Sequence, residues 1–337
     1  VETKQAALLT LPEIGLSQKL DIAELVRRFG CAASISFLDS HYNFFSTPTA
    51  VGVIGYRLEY GCAIVMGDPV CAESDKLTLA QEFRDHCKAM NRPIVYVTVS
   101  KGFAERAYTV TCHSLIEVVD ELVFDPQNDP KKGSKGRLLR GKVSQAIRFG
   151  ITAHEYNSPS EDIEKEIEEV SSSWLKARQG PQIYLAPVDL FATRVGKRWI
   201  YAKYNNKVIG VVLLHQIEAR QGWLVQLLLT SPDAPNGTSE FLVSSTIDIL
   251  RKEGCSYLSF GAALKEEIGT IQGLGKPSCY LARLIYRGAK KIFPLDGRRK
   301  YWKKFSPEPE PSYLLFESTR LSMKEIGAIM KSLNVSL

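Results

Sequence analysis

The apolar positions of this chain fall into two similar series. Val51–Tyr56 (VGVIGY) is a strand-length run, and Gly61–Gly67 (GCAIVMG) is a second. A turn-rich DPVCAES follows at 68–74, and Leu77, Ala80, Phe83 and Cys87 then recur at helical spacing between about Asp75 and Met90. Asn91-Arg92-Pro93 breaks that helix, and Ile94–Val99 (IVYVTV) reads as a third strand. The second series starts at Lys207–Leu214 (KVIGVVLL) and runs through Gly222–Thr230 (GWLVQLLLT) into the loop SPDAPNG at 231–237. Phe241, Ser244, Ile247 and Leu250 mark its helix, Glu253-Gly254 ends it, and Cys255–Phe260 closes it as a strand. The class is therefore α/β, with one supersecondary unit used twice.

The turn-rich, charged stretch DPQNDPKKGSKG at 125–136 separates the two series. It predicts an N-terminal domain over 1–130, a basic linker helix over 131–150 and a catalytic domain over 151–337. Leu321, Ile326, Ile329, Met330 and Leu333 predict an amphipathic helix within 318–337, packed on the second half.

The repeated order of strand, strand, Pro/Gly loop, helix and strand is that of a GNAT-type acyltransferase, so two tandem GNAT-like domains are expected. Enzymes of that type using acetyl-coenzyme A place glycines in the loop before the helix, so that backbone N–H groups reach a pyrophosphate. The loop at 68–74 follows Gly67 with Asp68-Pro69, and the loop at 231–237 carries Pro232, Asp233 and Pro235. Proline has no N–H to offer, and each aspartate repels phosphate. Some other activated acyl donor is expected, and no cofactor.

Composition supports a globular chain. Of 337 residues 45% are apolar and 24% charged, which excludes collagen-like and disordered classes. The longest apolar run, around Val208–Leu214, is too short to cross a bilayer. The net charge of +6 is unevenly placed. Residues 131–148 hold seven basic side chains and no acid, and 283–304 hold nine against Asp296 alone. The rest of the chain has 27 basic and 36 acidic residues, so its own balance is negative. Concentrated charge of this kind is the footprint of a polyanion or an anionic lipid surface. The seven cysteines and five histidines show no metal-ligand spacing and no nucleophile–base pair, which predicts a reduced, cytoplasmic protein without a metal.

The chain resembles the catalytic region of the phosphatidylglycerol lysyltransferase (multiple-peptide-resistance) family, including its fungal sterol-aminoacylating relatives. The likeness covers roughly residues 35–316. It is carried by Gly67-Asp68-Pro69-Val70, Arg137-x-x-Arg140, Ala234-Pro235-Asn236-Gly237 with Phe241-Leu242, and Phe260-Gly261-Ala262-Ala263-Leu264. The most specific piece is FPLDGRRKYWKKFSPEPEPSYL at Phe293–Leu314. The resemblance implies an aminoacyl-tRNA donor and a lipid hydroxyl acceptor, phosphatidylglycerol or a sterol. It also implies work at the inner face of a membrane, to which the chain would be peripheral.

Site residues follow from that resemblance. Lys304 is the expected catalytic residue, as oxyanion stabiliser or holder of the donor's 3′ end. Gln226, Asn236, Gly237, Glu240 and Gly261 are expected to bind substrate. Arg137, Arg140, Lys142, Arg298, Arg299, Lys300 and Lys303 are expected on the tRNA. Asn236 reads equally as an Asn-Gly turn residue and Glu240 as a helix-dipole partner. Gln226 and Leu229 stand where lysyl- and alanyl-transferring members have Asp-x-x-Arg, which puts lysine specificity in doubt. Two other readings stay open: a coenzyme A N-acyltransferase or amine-directed aminoacyltransferase, and a non-catalytic RNA or membrane adaptor.

Overall fold

The computed structural model describes residues 8–10, 16–38, 42–177, 190–191, 194–292 and 296–333. Its first half contains β1 (Leu8–Thr10), α1 (Leu16–Phe29), β2 (Asn43–Thr47), β3 (Ala50–Glu59), β4 (Cys62–Met66) and β5 (Val70–Cys71), then α2 (Lys76–Ala89), β6 (Ile94–Ser100), α3 (Lys101–Ala107) and β7 (Ser114–Phe124). The helix α4 (Arg137–Arg148) follows, within the basic stretch. The second half begins with β8 (Thr152–Glu155), α5 (Glu161–Ala177), β9 (Lys197–Tyr204), β10 (Lys207–Ile217), β11 (Gly222–Thr230), α6 (Thr238–Lys252) and β12 (Leu258–Leu264). It ends with β13 (Ile271–Gln272), α7 (Lys276–Ile292), α8 (Asp296–Trp302), β14 (Glu308–Phe316) and α9 (Met323–Ser332).

Apolar residues on both faces of the strands explain why helices cover both sides of the sheet. On β10, Val212 and Leu214 pack with Leu242 and Ile247 of α6, while Val211 and Leu213 pack with Ile167 and Val170 of α5. On β4, Ala63 and Val65 meet Phe83 of α2, while Cys62, Ile64 and Met66 share a core with Val26 of α1 and Ala328 of α9.

All of these strands belong to one continuous sheet, ordered β1-β2-β3-β4-β6-β14-β7-β12-β11-β10-β9-β8, with β5 paired to β3 and β13 to β7. The halves exchange their last strands. The first half ends in β7, which pairs antiparallel with β12 (Leu258 opposite Phe124). The second half ends in β14, which pairs antiparallel with β6 (Ser312 opposite Ser100). The two exchanged strands also pair with each other. The chain thus returns to its first half, and α9 packs on β3 and β4, where Arg57 Nη1 donates to Ser332 O at 2.8 Å. This corrects the expectation that the C-terminal helix lies on the second half.

Within the second half, β11 and β12 pair in parallel at Trp223–Leu258 and Leu224–Ser259, and among the described residues no later pair forms. The strands then part, and the carboxyl end of β11 leads into the loop at 231–237. Ligand sites of open α/β sheets form at such carboxyl ends. Among the described residues no helix is long and apolar enough to cross a membrane.

Candidate functional site

A cavity of about 470 Å³ opens where β11 ends and α6 begins, lined by the 231–237 loop, the first turn of α6, Trp174, Tyr301 and Lys304. Gly237 caps α6 at φ +96°, and a Cβ there would stand 2.4 Å from the Lys142 carbonyl oxygen. Glycine is therefore required twice over, by the left-handed backbone and by the passage of α4 across the helix end. Lys142 fastens the same crossing from its side chain, donating from Nζ to Asn236 Oδ1 at 2.8 Å.

The opposite wall comes from the C-terminal basic segment. Trp302 stacks on Phe260 with ring centroids 4.2 Å apart and planes 7° from parallel, and Phe305 is wholly buried in the same core. With these two rings anchored, the turn Lys303–Phe305 directs Lys304 inward. Its Nζ donates to Glu240 Oε1 at 2.6 Å and sits 4.4 Å over the Tyr301 ring. Glu240 also accepts from Ser239 Oγ at 3.0 Å.

Burial alone raises the Glu240 carboxyl, but the Lys304 hydrogen bond, its own backbone N–H, the Lys304 charge and Ser239 together hold it below the ordinary carboxylate range. Glu240 therefore remains an anion at the N-terminus of α6, where positive backbone charge favours it. Its carboxylate thus takes up a helix N-terminus of the kind that binds phosphate groups. Burial pushes the Tyr301 phenol far above its usual value, so that it stays protonated.

The first half has a parallel arrangement at the turn between β4 and α2. Asp68, 4% exposed, accepts from Ser100 N at 2.8 Å, Ser100 Oγ at 2.7 Å and Lys76 Nζ at 2.9 Å. Lys76 also pairs with Glu73, and Arg106 reaches the same glutamate. Each half thus fills its own loop–helix junction with a carboxylate–lysine pair.

The structure brings Asn236, Gly237, Glu240 and Lys304 to one cavity. Gln226 and Gly261 do not line it. Gln226 lies on β11 at a register shift opposite Leu213 and Leu214, with Oε1 buried and unpartnered among the described residues. Gly261, at φ +78°, forms a bulge that admits Arg298, whose Nη2 donates to Phe260 O at 2.6 Å. Several expected tRNA contacts have internal partners. Arg299 donates to Leu264 O at 2.8 Å and Asp120 Oδ2 at 2.6 Å, and Arg140 donates to the carbonyls of Lys131 and Gly133. Arg137, Lys300 and Lys303 are exposed.

Sequence reasoning missed Trp174, which reaches the cavity from the last turns of α5, and the Lys142–Asn236 tether. Neither leaves a local signal, because each joins segments more than 50 residues apart.

The family model of phosphatidylglycerol lysyltransferase, C-terminal, matches residues 24–316. A phosphatidylglycerol lysyltransferase of Staphylococcus aureus is 19% identical over 291 residues, covering 86% of this chain and 34% of the relative. The chain therefore spans about a third of the length of such curated relatives. Among solved structures, L-PGS from Bacillus licheniformis aligns with a TM-score of 0.76 at 17% identity, covering 94% of this chain and 96% of that one. The C-terminal domain of a protein assigned as a lysylphosphatidylglycerol synthetase, from Agrobacterium fabrum, aligns with the same TM-score and coverage at 18% identity. At these identities the structures establish the fold, and the match over residues 24–316 establishes the kinship: the chain belongs to the phosphatidylglycerol lysyltransferase C-terminal family.

Proposed function

We propose that this chain transfers an amino acid from aminoacyl-tRNA to the hydroxyl of a lipid, phosphatidylglycerol or a sterol, forming an ester at the cavity beside Lys304. The observation that carries this reading is the Glu240–Lys304 pair seated at the α6 N-terminus inside that cavity. It fills the anion site that an acyl-coenzyme A enzyme needs and supplies instead a carboxylate and an ammonium. A relative named phosphatidylglycerol lysyltransferase supports the lipid acceptor.

The donor ester is already activated, so the site has to align reactants and stabilise charge. The Glu240 carboxylate receives the α-ammonium of the aminoacyl group, which frees the Lys304 ammonium to face the ester carbonyl. The acceptor oxygen bonds to that carbonyl carbon, the oxyanion rests against Lys304, and the bond to the ribose oxygen breaks. The acceptor's proton ends on the released ribose oxygen, so the step is balanced without a cofactor. Asn236, oriented by Lys142, borders the space for the terminal ribose. Gln226, on the strand leading to the cavity but outside its lining, acts from behind the wall that the transferred side chain meets, and Gly261 shapes the adjoining strand. Arg137, Lys300 and Lys303 contact tRNA phosphates, while Arg140, Lys142, Arg298 and Arg299 build the surface that presents them.

The test is incubation of the 337-residue chain with labelled aminoacyl-tRNAs and a lipid extract. A labelled, base-labile aminoacyl-lipid is expected with the parent and a loss of at least about a hundredfold with Lys304→Ala, the range seen on removing an oxyanion donor. Absence of labelled lipid with every charged tRNA rejects the reading.

A further inference from the structure

The outer face of α7 has no role in the cavity, yet it is an ordered and chemically distinctive surface. The helix carries Lys276, Arg283, Arg287, Lys290 and Lys291 and no acidic residue between 276 and 292. Its inner face is fixed: Ala282 is buried, Tyr286 Oη donates to Lys265 O at 2.7 Å, and Ser278 Oγ accepts from Leu321 N at 3.2 Å. The helix therefore cannot roll to hide its other side.

That other side is a single line along the axis, Lys276, Tyr280, Arg283, Leu284 and Arg287, all exposed. Tyr280 is 71% exposed and Leu284 52%, one helical turn apart, with cations on both sides of them. A surface built only for nucleic-acid phosphates has no use for an exposed leucine between its arginines. An interfacial helix does, because the apolar groups enter the headgroup–acyl boundary while the cations meet anionic headgroups. The other basic helix, α4, is arranged differently. Its outward line is Arg137, Gly141, Ser144 and Arg148, and the exposed Leu138 and Ile147 fall on opposite flanks of it.

We propose that α7 docks the protein on an anionic bilayer through Tyr280, Leu284, Arg283 and Arg287. This rests on the lipid-acceptor reading for its purpose, but its test does not depend on transfer. From α7 the chain continues through α8 to Lys304, so the docked helix and the cavity wall are consecutive parts of one segment.

The experiment is vesicle flotation of the full 337-residue chain, with phosphatidylcholine vesicles containing phosphatidylglycerol and with phosphatidylcholine alone. The parent is expected to float with the anionic vesicles only. Arg283→Gln with Arg287→Gln should weaken partitioning roughly 25-fold, about fivefold for each cation near an anionic surface. Tyr280→Ser with Leu284→Ser should weaken it about tenfold or more. All four side chains point to solvent, so circular dichroism should match the parent. Parental flotation of both double variants overturns the proposal, as does failure of the parent to float. Weakened tRNA binding with unchanged flotation also overturns it and marks an RNA surface. Transfer assayed on detergent-dispersed lipid should persist in the double variants, so loss of docking is distinguished from loss of the proposed activity.

Discussion

Lys304 and Glu240, 64 positions apart in the chain, form a 2.6 Å ion pair at the N-terminus of α6. The carboxylate is the buried member, its side chain 7% exposed against 35% for the lysine. The pair is thus an inward anion covered by a cation that faces the cavity.

Removing that cover has a pH signature. The Glu240 pKa is depressed in the folded protein, so its stabilising contribution is complete above the ordinary glutamate value of about 4.3 and is lost as pH falls through the folded value. Lys304→Ala should lower stability by about 1 kcal/mol at neutral pH, a modest figure because the lysine is a third exposed. It should also flatten the acid limb below about pH 4.3. Urea titrations from pH 3 to 7 on parent and variant check this.

Gly237→Ala should be costly for reasons of backbone alone. The new Cβ would press within 2.4 Å of the Lys142 carbonyl at a φ of +96°. A loss of roughly 1–3 kcal/mol is expected, read as a lower unfolding midpoint. Gly254→Ala, also at positive φ but with no neighbour within 4 Å among the described residues, supplies the control and should lose less.

His215 predicts a second pH effect. Both ring nitrogens are buried without partners among the described residues, and burial, with the Lys197 charge, pushes its pKa down to about 4. The unfolded chain protonates first, so stability should fall between about pH 6.5 and pH 4, by roughly 1.4 kcal/mol per pH unit. His215→Leu should remove that slope, measured by thermal unfolding across the same window.

Asp68→Ala separates scaffold from chemistry. It strands Lys76 beside Glu73 alone and leaves the Ser100 N–H and hydroxyl without their acceptor. A loss of about 3 kcal/mol is expected, with transfer per folded molecule unchanged, since the residue lies in the other half.

Much of this architecture was legible in the chain because it is local. The apolar alternation that splits β10 between α5 and α6 is written in Val211 to Leu214, and the loop residues Asn236 and Gly237 precede α6 directly in sequence. What periodicity could not reveal is pairing at a distance. Nothing near Glu308–Phe316 says that it will lie between β6 and β7, and for that reason periodicity alone puts α9 on the second half rather than on β3 and β4. The run Arg298-Arg299-Lys300 looks uniform, yet Arg299 is held by Asp120, 179 positions away, while Lys300 is exposed. A basic run records charge without recording which members have carbonyl or carboxylate partners inside. Gln226 is expected to bind substrate because it matches a family position; the register shift opposite Leu213 and Leu214 places it outside the lining.

The most direct measurement compares donors on the same protein: labelled aminoacyl-tRNA and labelled acetyl-coenzyme A, each supplied with a lipid extract. The account predicts a base-labile labelled lipid from the tRNA donor, abolished in Lys304→Ala, and neither binding nor transfer with the thioester. Micromolar binding of acetyl-coenzyme A, with no lipid labelled from any charged tRNA, would contradict it.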